Sequence, residues 1–351
     1  MTPRDCARPQ DPHTCRPLTR RRMLGTVAGL ATLPLLAGCH DDEQARLSGN
    51  PTATGAATSL TIGLSYLPDI QFAPVYVAQE HGHFARAGLD VTVRHHGARE
   101  PLFGALQAGT EDVLYAGAAE MMQARSQGVD VVDFGTIYQK YPVVAIARAQ
   151  AGLTGAHRLR GKTIGVPGQL GETWFGLLAL LRQGGLDQSA VDIQTIGFTQ
   201  QAALISDKVD VVMGYANNEL VRLQDAGIDV ASVPVQGNLV GAGLNAMGPT
   251  LREREDDLAA VITALRTATA EIADDPAAAV TLSKRSVPTL TTPEQEKAAL
   301  ATLTATLRLI GDPQDLGAQD RQKWAEMSSF MLETGLVQQQ VPAEQAHVSL
   351  L

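Results

Sequence analysis

Five carboxylates stand where strand-like runs give way to helix-like ones: Asp69, Glu100, Glu120, Glu172 and Glu219. Aromatic residues share those corners, namely Tyr66, Tyr138, Tyr141, Trp174 and Tyr215. Only 4% of the chain is aromatic, so their gathering at turns carries information. Carboxylates accept hydrogen bonds from an exocyclic amine, a protonated ring nitrogen or sugar hydroxyls. Aromatic faces stack on a flat ring. An oxyanion would instead need lysine, arginine or free helix N-terminal N–H groups. Few cations join these corners beyond Arg99, and Glu172 sits where an anion would dock. The chemistry on offer is recognition of a flat ring that donates hydrogen bonds.

These side chains need a scaffold that ends strands in polar loops. Alternating apolar runs at 59–64, 89–93, 112–115, 131–137 and 143–147 read as strands, interleaved with helix-like stretches at 72–87, 101–108 and 118–127. The stretch 161–174, GKTIGVPGQLGETW, is a strand, a glycine- and proline-rich turn and a helix start. Further strands fall at 191–196, 209–213 and 228–233, short helices at 199–206 and 219–226, and 239–243 carries the chain back. Beyond 249 the pattern is helical, over 252–273, 276–285, 293–310 and 319–334. Strands alternating with helices imply an α/β fold with parallel-dominated sheets, whose ligands sit beyond the carboxyl ends of strands. That rule selects Tyr66, Asp69, Gln71, Glu100, Glu120, Tyr138 and Tyr141, then Gly171, Glu172, Thr173 and Trp174, then Tyr215 and Asn217. Structural roles compete at several of these. Glu172 could serve its own helix, Trp174 could be core, Asn217 and Asp69 could be caps, and Glu100 and Glu120 could be solvated.

The 351 residues suffice for two cores, and 44% hydrophobic with 19% charged is globular composition. A formal net charge of -9 argues against a nucleic-acid surface. All 3 cysteines precede residue 40, which excludes disulfides and thiolate metal sites from the body. Arg20, Arg21 and Arg22 precede an apolar run over 23–37 that is short for a membrane span, as in a twin-arginine export leader. The run ends Leu36-Ala37-Gly38-Cys39, which resembles the bacterial lipoprotein box, with Cys39 as the lipidated residue. The division expected is a leader over 1–38, a tether over 39–58, a first lobe over 59–142, a second over 143–240, and a return with C-terminal helices over 241–351.

Tyr66-Leu67-Pro68-Asp69, His81-Gly82-His83-Phe84, Gly88-Leu89-Asp90-Val91, Leu106-Gln107-Ala108-Gly109, Gly161-Lys162-Thr163-Ile164-Gly165-Val166 and Met213-Gly214-Tyr215 follow in order. This succession resembles the solute-binding proteins of ABC importers in the nitrate, sulfonate and thiamine-pyrimidine group, over about 60–227. The resemblance implies a two-lobed periplasmic-binding-protein (type II) fold with a helical C-terminal segment. It also implies a monomer on the extracytoplasmic side, lipid-anchored to the cell membrane, that hands ligand to a permease and an ATPase.

The corner carboxylates place a thiamine-type aminopyrimidine precursor first as ligand, riboflavin or another vitamin next, and nitrate or sulfonate last. The same family includes pyrimidine synthases, which need a Schiff-base lysine; Lys140 and Lys162 are the candidates, but the family's cysteine-rich iron motif is absent. A ligand sensor is a third possibility. The expectation is a binding protein without enzymatic activity, cofactor or metal. His81, His83, His95 and His96 are weak metal candidates, since adjacent rings at a strand end point apart.

Overall fold

The computed structural model describes residues 57–97, 100–237 and 239–351. The leader, Cys39, nearly all of the tether and Arg99 lie outside them. Among the described residues ten short strands form two sheets. The chain lays down β1 (Thr58–Leu64), β2 (Leu89–His95), β3 (Val113–Gly117) and β4 (Val131–Thr136) in the first sheet. It crosses to the second for β5 (Val143–Arg148), β6 (Thr163–Val166), β7 (Asp192–Thr195), β8 (Val211–Tyr215) and β9 (Val230–Pro234). It then returns as β10 (Ala242–Met247). The orders are β2-β1-β3-β10-β4 and β7-β6-β8-β5-β9. In each sheet the strand that follows a crossing, β5 or β10, runs antiparallel to both neighbours, and the other four share one direction. That common direction places their carboxyl ends together and leaves polar loops there.

β3, β4 and most of β5 are buried throughout, as expected of strands covered on both faces. The first sheet packs on helices Ala73–Glu80, Glu255–Asp274 and Pro293–Ile310 through Leu60, Ile62, Phe134, Val261 and Leu303. Its other side joins a second apolar cluster in which Met121 and Met122 of helix Ala118–Ser126 meet Trp174 and Phe175 of helix Gly171–Gln183. Trp324 and Met327 of helix Arg321–Glu333 complete that cluster, so apolar packing is continuous from one sheet to the other. Among the described residues no helix is long and apolar enough to cross a membrane.

The helix expected over 72–87 is two helices, Ala73–Glu80 and His83–Arg86, because Gly82 turns left-handed between them (φ 69°). The helix expected over 101–108 shrinks to Gly104–Gln107. The 239–243 connection extends into a full strand, β10, which the sequence AGLNAM, short of β-branched residues, does not announce.

Candidate functional site

A cavity of about 400 Å³ opens between the loops at the carboxyl ends of the two sheets. From the first-sheet side come Tyr66 and Gln71 of the loop after β1, Tyr115 of β3, Glu120 of the following helix and Tyr138 after β4. From the second come Gly171, Glu172 and Thr173 at the start of helix Gly171–Gln183, then Phe198, Gln200, Tyr215, Asn218 and Glu219. No arginine, lysine or histidine is among the described residues that line it.

Glu172 organises the centre. Helix Ala118–Ser126 starts at Gly117, which has no side chain to cap it. Glu172 supplies the cap from the other lobe: its Oε1 accepts the Ala119 N–H at 3.1 Å and the Glu120 N–H at 3.4 Å. Its Oε2 accepts the Tyr141 hydroxyl at 2.6 Å. Gly117 is required there, because a β-carbon would collide with the Glu172 carboxyl. The helix N-terminus that could hold an anion is therefore filled by the protein's own carboxyl group. Burial pushes Glu172 up to about 7, with the Tyr141 hydroxyl and the helix N–H groups pulling the other way. Glu120 is pushed up to about 8 by burial and then by the charge of Glu172. Two carboxyls in one pocket do not both ionise at neutral pH.

Aromatic rings surround this pair. Tyr115 packs edge-on against Phe72 (5.3 Å) and Tyr138 (6.1 Å). At the mouth Tyr66 meets Phe198 from the opposite lobe at 6.4 Å. Phe198 and Leu170 are each 74% exposed although both line the cavity. Glu219 turns back to accept the Tyr215 N–H at 2.7 Å, and burial raises its pKa.

The cavity brings together Tyr66, Gln71, Glu120, Tyr138, Gly171, Glu172, Thr173 and Tyr215 of the residues selected from sequence. Five others stand off its wall. Trp174 is 8% exposed and packs in the core cluster, one position past the helix face that meets the cavity. Tyr141 acts through Glu172. Asn217 is fully buried and donates to Thr306 at 2.9 Å, tying the β8 corner to helix Pro293–Ile310. Asp69 caps a turn through the Gln71 N–H and meets Arg222 of the other lobe at 3.4 Å. Glu100 is engaged by the Arg94 guanidinium at 2.8 and 3.0 Å, which holds its carboxyl below the usual range.

Tyr115, Phe72 and Phe198 were not selected. Tyr115 lies inside a strand rather than after it, and Phe72 reads as helix. Phe198 follows β7 by three residues, so the rule of looking just past strand ends, applied at 191–196, would have found it.

His81, His83 and Glu271 place their ligand-type atoms within 4.8 Å of one another. The Arg86 guanidinium donates to His83 Nδ1, so His83 Nε2 carries the proton and faces Glu271 at 3.0 Å. A cation would have to displace that proton while Arg86 blocks the other nitrogen. The cluster instead ties helix His83–Arg86 to helix Glu255–Asp274.

A family model described as NMT1/THI5 like matches residues 69–279. The riboflavin-binding protein RibY of Chloroflexus aurantiacus is 31% identical over 91% of this chain and 94% of its own length. A formylaminopyrimidine-binding protein of Halalkalibacterium halodurans is 24% identical over 84% of this chain and 91% of its own. Among solved structures, the periplasmic aliphatic sulphonate binding protein SsuA of Escherichia coli superposes with a TM-score of 0.67, over 82% of this chain and 91% of that one, at 16% identity. The two-lobed periplasmic-binding fold expected from the sequence is the fold of this chain.

Proposed function

We propose, since this chain belongs to the NMT1/THI5 like family, that it is the extracytoplasmic solute-binding component of an ABC importer. Its lobes close on a flat heteroaromatic ligand, with a three-ring compound of the riboflavin type in first place. The cavity between the lobes carries this reading. Among the described residues it is lined by tyrosines, phenylalanines and carboxyls without a cation, and the helix N-terminus suited to an anion is already capped by Glu172. Size orders the ring candidates. An engineered cavity of about 150 Å³ holds one benzene ring, so about 400 Å³ has room for between two and three. A lone aminopyrimidine would leave most of that volume unfilled, whereas a three-ring system fills it and its hydroxylated tail reaches the open mouth. The 31% identical relative is itself named for riboflavin binding.

Delivery by the paired-arginine leader and anchoring through Cys39 belong to the same reading. A synthase reading lacks its lysine, because neither Lys140 nor Lys162 lines the cavity.

The test is a thermal-shift panel on the exported domain with riboflavin, an aminopyrimidine, taurine and nitrate. A ligand at about 100 times its Kd stabilises the native state by about 2.7 kcal/mol. Riboflavin is expected to raise the melting temperature most and to lose fluorescence as it stacks on the tyrosines. A shift with taurine or nitrate alone would overturn the assignment.

A further inference from the structure

We propose that Glu120 reads the ligand as a neutral carboxylic acid, its O–H donating to a ring carbonyl or ring nitrogen while its C=O accepts from the adjacent ring N–H or amino group. The ligand class this selects is a heteroaromatic with a lactam, imide or amino–ring-nitrogen edge. The inference rests on the reading of a heteroaromatic ligand in the cleft and adds the group that selects among such rings.

The argument starts from position. Glu120 is in the first turn of helix Ala118–Ser126 and lines the cavity, with Oε1 3.1 Å from where a β-carbon on Gly171 would stand. Its neighbour Glu172 has taken three groups that stabilise a negative charge: the Ala119 and Glu120 N–H groups and the Tyr141 hydroxyl. Among the described residues the Glu120 carboxyl has no side-chain hydrogen-bond partner and no ion pair; the backbone N–H of Gly117 is the group that favours its charge, and burial and the Glu172 charge outweigh it. The ionisable groups that face it are Glu172, Tyr141 and Tyr215, all acidic or neutral. Charge therefore settles on Glu172 and the proton on Glu120, in the direction that burial and like-charge repulsion both favour.

A protonated carboxyl beside an apolar, aromatic wall is a donor and an acceptor about two ångströms apart, and it leaves both unmet unless a ligand meets them. A second observation points the same way. Asn218 also lines the cavity, is over nine-tenths buried, and its Oδ1 has no partner. The wall thus offers the Glu120 donor–acceptor pair, the Asn218 acceptor and the unpartnered Tyr115 hydroxyl, which can give or accept. That pattern fits a ring edge carrying alternating N–H and C=O groups and is wasted on an oxyanion, which has no hydrogen to give.

The experiment is a set of riboflavin titrations by fluorescence quenching from pH 6 to 9, on wild type, Glu120→Gln and Glu120→Ala, repeated with N3-methylriboflavin, whose edge lacks the N–H. Glutamine keeps a donor and an acceptor, so Glu120→Gln should bind riboflavin within about threefold of wild type and with a shallower alkaline decline, Glu172 being the carboxyl that still titrates in the wall. Wild-type affinity should fall on the alkaline side as the O–H is lost. Glu120→Ala should bind roughly tenfold or more weaker, and N3-methylation should weaken wild type but add little to that variant. If riboflavin binds wild type and Glu120→Ala alike at every pH, the Glu120 assignment is overturned and the ligand assignment stands. If wild type does not bind riboflavin, the ligand assignment falls, and infrared spectroscopy of the ligand-free protein decides Glu120. A protonated-carboxyl C=O band at pH 7 that disappears in Glu120→Gln supports the assignment, and no such band overturns it.

Discussion

Glu172 shows how much a single residue's role depends on groups that are distant in sequence. Read alone, it is a first-turn carboxylate of its own helix. In the fold it caps the opposing lobe's helix through Ala119 and Glu120, at sequence separations of 53 and 52. Trp174, two positions on, turns into the core instead. Residue type and turn position were legible for both, but the helix phase that separates them was not. Phe198 separates affinity from stability at this scale. Its ring is 74% exposed and touches Tyr66 across the mouth, so it contributes little to the folded core. Phe198→Ala should leave the ligand-free melting free energy within about 0.5 kcal/mol. It should weaken the bound ring by about 0.5–1.5 kcal/mol, the range of one aromatic contact. Calorimetry of ligand-free protein and a binding isotherm measure the two effects. A large loss of stability would place the ring in the core rather than at the mouth.

Elements were legible where periodicity was strong and illegible where tertiary contacts replaced it. Strands β3, β4 and β5 coincide with apolar runs visible in sequence, because a strand buried on both faces must be apolar along its length, whereas β2, β7 and β9 are only partly buried. β10 is the exception. Its Gly243 lies against the Asp133 carboxyl, where a β-carbon would not fit, and Asn245 donates to the Leu114 and Gly243 carbonyls. Those residues answer to neighbours across the sheet, not to strand propensity. The start of helix Gly171–Gln183 is set just as locally. Gly171 has φ 74°, a left-handed conformation, and a β-carbon there would press on Glu120 Oε1. Gly171→Ala should therefore cost about 1–2 kcal/mol of stability and also weaken ligand binding, since it displaces a cavity carboxyl. Thermal melts and the same riboflavin titration test this. An alanine variant with wild-type stability and affinity would show that the turn has an untroubled alternative path.

At the scale of the whole molecule the α/β plan was readable from strand–helix alternation and its two lobes from the family resemblance, whereas the burial of acid groups within it was not. Four carboxyls among the described residues are raised by burial: Asp133 to about 7, Glu172 to about 7, Glu120 to about 8, and Glu219 in the same direction. Their unfolded values are near 4, so between roughly pH 4 and 8 the unfolded chain has released protons that the folded chain retains. Stability from such groups is full below the unfolded value and is lost as pH rises through the folded one. Glu100, Asp187, Glu271 and Glu294 have the opposite sign, being lowered in the fold, and their contribution is lost only as pH falls below the usual carboxylate range. His95 and His347, lowered by burial, also favour higher pH, but only up to about 6.5. Above that, the raised carboxyls act alone among these groups. The ligand-free protein should accordingly lose stability steadily from pH 6.5 to 8, by an amount on the order of a few kcal/mol. Asp133→Asn isolates one share of this. Asp133 Oδ1 accepts from Gln319 and the Gly135 N–H, and a neutral amide oxygen can accept both. The variant's melting temperature should therefore decline less steeply than wild type over that interval. A wild-type melt that rises or stays level from pH 6.5 to 8 would mean that these carboxyls are ionised in the fold. Glu120 would then meet the ligand as a charge rather than as an acid.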